Sequence, residues 1–229
     1  MSIAENVKNI LNKVDVAKAT SPYSNQDVQV IAVTKYVDTA KAAQVVEAGI
    51  HHLAENRTDL FLEKYKAFEN KDITWHLIGN LQRRKVKDVI NLVDYFHALD
   101  SVKLAKEIEK RAEHMIKCFL EVNISGEATK HGFAPEDIDQ ALAEISQLEN
   151  VEIVGLMTMA PIDADNEQLD NIFASMKQLQ IEIAAKGIAN VPCTELSMGM
   201  SRDYTRAIQQ GATFVRIGTA FLNKICIES

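Results

Sequence analysis

The chain has 229 residues, of which 47% are hydrophobic and 25% charged, with a formal net charge of −7. That length can bury a substantial core, the composition excludes disordered and fibrous classes, and the acidic balance opposes general nucleic-acid binding. Cys118, Cys193 and Cys226 are too far apart for a disulfide framework or a paired-cysteine zinc site, and no apolar run reaches membrane-spanning length.

The N-terminus lacks the basic and then apolar layout of a signal peptide, so a cytoplasmic location is expected. Ile3, Val7, Ile10, Leu11 and Val14 recur at helical spacing, which predicts an amphipathic helix over residues 3–19. Short β-branched or aromatic runs then follow at 28–35, 51–55, 73–78, 95–99, 116–123, 151–157, 194–197 and 213–217. Segments of helical period, such as 39–48, 101–114 and 166–186, separate them. Eight strand–helix alternations predict an α/β fold: a single (β/α)8 TIM-type barrel with an extra N-terminal helix, one domain over residues 1–229. Little chain follows the eighth strand, and the N-terminal helix is expected to cover the outer wall left thin there.

In such a barrel the carboxyl ends of the strands converge on one face, where ligands bind. Lys35 ends the first apolar run and is either a lysine that snorkels to solvent or an amine aimed into a cleft. Small residues gather after the last two strands, in Ser197-Met198-Gly199-Met200-Ser201 and Gly218-Thr219-Ala220, opposite Lys35, as expected of a phosphate site. A phosphate and an amine-reactive lysine suggest pyridoxal phosphate or a sugar-phosphate aldehyde. Arg216 favours the former, as a guanidinium near a pyridine nitrogen disfavours its protonation, although it could also be a salt bridge inside the barrel. His76 is either a core histidine or a ligand-facing one, and His51 and His52 point to opposite faces of a strand. Met157, Met159, Met198 and Met200 read as packing. The cluster Arg83-Arg84-Lys85-Val86-Lys87 reads as a solvated helix face, with an anion or nucleic-acid contact as the alternative.

Seven motifs, in order, resemble one family: Ala32-Val33-Thr34-Lys35, Glu55-Asn56, Trp75-His76-Leu77-Ile78-Gly79-Asn80-Leu81-Gln82, Val122-Asn123-Ile124-Ser125-Gly126-Glu127, Gly155-Leu156-Met157-Thr158-Met159, Ser197-Met198-Gly199-Met200-Ser201-Arg202-Asp203 and Val215-Arg216-Ile217-Gly218-Thr219-Ala220. Together they resemble the pyridoxal phosphate homeostasis proteins (YggS/PROSC). The resemblance implies a fold-type III barrel like the N-terminal domain of alanine racemase, with pyridoxal 5'-phosphate held on Lys35 as a Schiff base. It places Ser197, Gly218 and Thr219 at the phosphate, Arg216 at the pyridine nitrogen, and Asn56, His76, Met157 and Met198 in the pocket. It further implies a carrier or regulator of the free cofactor rather than a strong catalyst, with a racemase-like or aldolase-type enzyme as the alternative. Expected partners are the cofactor and pyridoxal phosphate-dependent apoenzymes, with no nucleic acid and no membrane. The chain is expected to be a monomer, with a dimer as the alternative. Departures from the family pattern are Leu53-Ala54, Leu222-Asn223, and Val37 where several members carry a second lysine.

Overall fold

A computed structural model describes residues 2–126 and 131–222. Cys226, Asn223 and Glu127 lie outside the described residues. The chain begins with α1 (Ile3–Ala19), whose cap Ser2 accepts from the Glu5 amide while Glu5 returns a bond to the Ser2 amide. This reciprocal capping satisfies two of the amide donors a helix start leaves open. Strand and helix then alternate as β1 (Gln29–Val33), α2 (Thr39–Glu47), β2 (His52–Glu55), α3 (Thr58–Ala67), β3 (Thr74–Leu77), α4 (Val86–Val89), β4 (Tyr95–Leu99), α5 (Val102–Arg111), β5 (Ile116–Glu121) and α6 (Ile138–Ile145). The series continues with β6 (Val151–Met157), α7 (Asn166–Ala185), β7 (Glu195–Met200), α8 (Tyr204–Gln209), β8 (Phe214–Ile217) and α9 (Thr219–Leu222).

The parallel strands pair in chain order, and β8 returns to β1, closing the barrel with Arg216 opposite Ile31. The expected barrel and its N-terminal helix are both present. Val7, Ile10 and Val14 of α1 are buried, α1 packs on α8 and α9, and Asn6 Nδ2 donates to Phe221 O at 2.9 Å. The helix thus closes the wall beside the short C-terminal element.

Two boundaries differ from the sequence reading in ways that matter. β1 stops at Val33, so Lys35 stands in the turn beyond it, where the Val37 amide donates to Thr34 O at 3.1 Å. β7 runs on to Met200, three residues beyond the expected end at Ser197, with an irregular register between Ser197 and Met200. Gly199, at φ 93°, belongs to that irregular stretch, and a side chain there would meet Ala207 Cβ at 2.6 Å. The longer strand moves Ser197 from the expected strand end into the strand interior. Barrel-facing side chains alternate with chains that pack against the helices, and the buried set Leu53, Phe61, Leu77, Phe96, Leu120 and Leu196 belongs to the core. Among the described residues, no helix is long and apolar enough to cross a membrane.

Candidate functional site

The C-terminal mouth of the barrel is built around the turn carrying Lys35. Behind it, Glu55 and Lys64 form a buried ion pair at 2.5 Å between β2 and α3. Glu55 Oε1 also accepts from Thr34 Oγ1 at 2.6 Å, and Lys64 Nζ donates to Thr34 O at 2.7 Å. The residue before Lys35 is therefore held through both its carbonyl and its hydroxyl. Lys35 is half-buried, and its Nζ lies 4.9 Å from the centroid of the exposed Tyr36 ring.

Closure of the barrel makes the last loop adjacent to Lys35 rather than opposite it. Gly218 follows β8 and crosses β1 so closely that an added Cβ would sit 3.2 Å from Val33 O. The amides of Gly218 and Ala220 both point at Ser201 Oγ, at 3.1 and 3.4 Å, with Thr219 exposed between them. The Ser201 hydroxyl thus joins the end of β7 to the loop after β8. Ser201 is the hydroxyl at this loop. Ser197, expected there from sequence, is fully buried one strand segment earlier.

Arg216, on β8, is buried in the upper barrel, where Nη1 donates to Ser197 Oγ at 2.7 Å and Nη2 donates to Thr158 O at 2.9 Å. Burial lowers its pKa to about 10, against the attraction of Asp203 and Glu121, so the guanidinium stays charged at neutral pH. The salt-bridge alternative does not describe it, since its two hydrogen bonds go to a hydroxyl and a carbonyl. Burial, reinforced by Asp100, pushes the Glu121 carboxyl upward, and burial does the same to Asp203, whose Oδ1 accepts from the Met200 amide at 2.6 Å.

The other expected residues separate into mouth and interior. Asn56 follows β2 at the mouth, and its half-buried side chain leaves Oδ1 buried with no partner among the described residues. Met157 ends β6, paired with Ser197, and both Met157 and Met198 are buried. His76 is a core histidine: it is fully buried and bonded to His52 and His97, so the ligand-facing reading is set aside. His52 turns inward while the exposed His51 bonds Asp72 O at 3.1 Å, as expected of neighbours on a strand. Arg83, Arg84 and Lys87 are exposed on the segment after β3, with Arg84 Nε donating to Gln82 Oε1 at 2.9 Å. Residues not singled out from sequence include Ser201, Glu121, Asp203, Thr158 and His97. His97 carried a usable signal as a polar residue between Phe96 and Ala98-Leu99, and Glu121 as one that follows Cys118-Phe119-Leu120. A recess of about 440 Å³ lies at the opposite, N-terminal end of the strands, bordered by Gln29, His52, Lys117, Glu152 and Glu195. It lies at the opposite end of the strands from Lys35, the Gly218 loop and Arg216, which gather at the C-terminal mouth.

The alanine racemase N-terminal domain family matches residues 6–223. A pyridoxal phosphate homeostasis protein of Aquifex aeolicus is 35% identical over 222 residues, covering 96% of each chain. The chain belongs to this family. A second relative of the same name, from Synechocystis, is 35% identical over 88% of this chain and 92% of its own. Among solved structures, PipY of Synechococcus elongatus with pyridoxal phosphate bound aligns with a TM-score of 0.84 at 31% identity, covering 97% of this chain and all of that one. Alanine racemase of Clostridium difficile aligns with a TM-score of 0.75 at 16% identity over 58% of its length, a likeness of fold.

Proposed function

We propose that this protein binds pyridoxal 5'-phosphate at the C-terminal mouth and acts in the homeostasis of that cofactor, as the names of its relatives state for them. The observation that carries the reading is the convergence of the Lys35 turn with the Ser201, Gly218 and Ala220 cradle across the β1–β8 junction. The residues present fit the group. Asn56 Oδ1 is a buried acceptor still without a donor among the described residues, and Gly218 lets the loop after β8 lie against Val33, where a side chain would crowd the Val33 carbonyl.

When bound, the cofactor supplies an aldehyde that reacts with primary amines. Lys35 Nζ is the amine placed for it, and the turn fixed by Thr34, Glu55 and Lys64 limits where that amine can reach. The phosphate would take over the Gly218 and Ala220 N–H donors that point at Ser201 Oγ, with the hydroxyls of Ser201 and Thr219 beside them. Arg216 holds a positive charge on the line from Ser197 and Thr158, and a cation beside a pyridine nitrogen disfavours protonation of the ring. That arrangement suits keeping the cofactor in a less activated form, for storage and for transfer to apoenzymes. Asn56 and Met157 line the mouth in this reading, whereas Ser197, Met198 and His76 support it from beneath. We further infer a single domain that acts as a monomer in the cytoplasm.

The test is to purify the protein, record its visible absorbance with added pyridoxal phosphate, reduce it with borohydride and map the adduct by mass spectrometry. A pyridoxyl group on Lys35, lost in Lys35→Ala, is expected. A colourless protein, or an adduct on another lysine, would overturn the proposal.

A further inference from the structure

A line of hydrogen bonds runs from beneath the mouth down through the barrel interior. Arg216 Nη1 donates to Ser197 Oγ at 2.7 Å, and Ser197 Oγ lies 2.8 Å from His97 Nδ1. His97 Nε2 lies 2.9 Å from His76 Nδ1, and His76 Nε2 lies 3.0 Å from His52 Nδ1. Aromatic neighbours fix the ring planes: Tyr95 stacks on His76 at 5.0 Å and 8°, and Phe119 stacks on His97 at 4.3 Å and 21°. Ser197, His97 and His76 are fully buried.

Arg216 sets the direction of this line, because a guanidinium can only donate. Ser197 Oγ accepts from it, and the one hydrogen of that hydroxyl has His97 Nδ1 as its acceptor among the described residues. His97 is neutral: burial holds its pKa well below the ordinary imidazole value, and the charge of Arg216 acts in the same direction. A neutral ring with an accepting Nδ1 carries its proton on Nε2, which then donates to His76 Nδ1. His76, also buried and neutral, repeats the pattern and donates through Nε2 to His52 Nδ1. Every one of these hydrogens has an acceptor. The reverse arrangement, with each proton on Nδ1, has Ser197 accepting twice and strands its hydroxyl hydrogen in a sealed site, which folding penalises.

Arg216 is pinned at two points, since Nη2 also donates to Thr158 O at 2.9 Å. The plane of the guanidinium, and with it the direction of its remaining N–H groups, depends on where the Ser197 lone pairs point. Those are set by the bond from the Ser197 hydroxyl to His97. We propose, on the reading that pyridoxal phosphate occupies the mouth with Arg216 beside its pyridine nitrogen, that His97 is a positioning residue for that site. It holds the Ser197 hydroxyl with a lone pair toward Arg216, and Arg216 so held turns a free N–H to the ring nitrogen. An N–H directed there occupies the nitrogen lone pair and opposes protonation of the ring. His76 and His52 act one step further back: by accepting in turn, they keep His97 in the tautomer this role requires.

Two readouts test the role. In ligand-free wild type labelled with 15N-histidine, long-range proton–nitrogen correlation spectra at pH 7.5 should show His76 and His97 each as a single Nε2–H tautomer. A His97 proton on Nδ1 would overturn the proposal, and no variant has to fold for that result. The second readout compares His97→Asn with His97→Leu. Asn can place Oδ1 near the position of Nδ1 and accept from Ser197, Leu cannot, and both lose the bond to His76. His97→Leu should raise the Kd for pyridoxal phosphate about 10-fold and move the ring-nitrogen resonance of 15N-labelled pyridoxal phosphate toward its protonated position. His97→Asn should stay near wild type in both. Equal behaviour of the two variants would overturn the positioning role alone. Wild type that takes up no pyridoxal phosphate would overturn the site itself, and this role with it.

Discussion

Ser197 Oγ accepts from Arg216 Nη1 at 2.7 Å while lying 2.8 Å from His97 Nδ1, so one hydroxyl joins the charged residue of the mouth to the imidazoles of the core. Its removal takes the hydroxyl partner from Arg216 Nη1 and from His97 Nδ1, both buried. Ser197→Ala should therefore cost about 1–3 kcal/mol of stability, far more than the small change in volume implies. Urea denaturation of the variant checks this, and a loss below about 0.5 kcal/mol would mean that Arg216 and His97 find other partners.

Lys64 and Glu55 tie α3 to β2 with side chains that are 2% and 0% exposed, and both reach Thr34, next to Lys35. Breaking such a buried pair strands a charge, which typically costs about 3–5 kcal/mol, whereas replacing both partners with apolar groups is far milder. Lys64→Met should thus be severely destabilising, and adding Glu55→Leu should recover most of the loss. The double variant should nevertheless bind pyridoxal phosphate more weakly than the wild type, since the turn bearing Lys35 loses its anchor. Denaturation and absorbance titration separate the two effects.

Ser201 and Ser197 show what could be read from the residues and what could not. The barrel was legible because eight apolar runs alternate with helical segments, and Lys35 was legible because a charge ending such a run must face a cleft or solvent. The same reasoning applied inside the runs would have singled out His97 in β4 and Glu121 in β5. Ser197 was misplaced for a different reason. Gly199 within Ser-Met-Gly-Met-Ser reads as loop chemistry, yet at φ 93° it lets β7 continue through an irregular register as far as Met200. Three residues of strand decide which serine meets the amides of Gly218 and Ala220, and local composition does not distinguish them.

Ser201→Ala follows from that distinction. Loss of one hydroxyl from a cradle for a phosphate dianion removes about 1.5–3 kcal/mol of charge-assisted bonding, or roughly a 10- to 100-fold rise in Kd for pyridoxal phosphate. Free pyridoxal, which lacks the phosphate, should bind the wild type and the variant alike. An equal loss for both ligands would place Ser201 outside the phosphate cradle.

Acid should destabilise the fold through the two sealed imidazoles. His76 and His97 have folded pKa values held below the unfolded value of about 6.5, so the unfolded chain binds protons first as pH falls. Their contribution is complete above about pH 6.5 and is lost below it, by up to about 1.4 kcal/mol per pH unit for each histidine. Glu121 and Asp203 act in the opposite sense, because their raised values favour proton binding in the folded state, and their offset grows toward the acid end. Denaturation midpoints at pH 7.5 and 6.0 should show the loss, and a fold that gains stability between them would contradict neutral burial.

Gly79 is held by contact rather than by backbone conformation. A Cβ there would lie 2.0 Å from Asn56 O and 2.7 Å from Asn56 C, both backbone atoms that cannot swing aside. Gly79→Ala must push apart the ends of β2 and β3 at the point where Asn56 enters the mouth. Overpacking of this kind costs about 1–3 kcal/mol, and displacement of Asn56 should weaken cofactor binding further. Asn80→Ala, at the exposed neighbouring position, should leave both properties nearly unchanged. Denaturation and absorbance titration of the pair distinguish a steric requirement at residue 79 from general sensitivity of the loop, because only the first predicts a difference between the two variants.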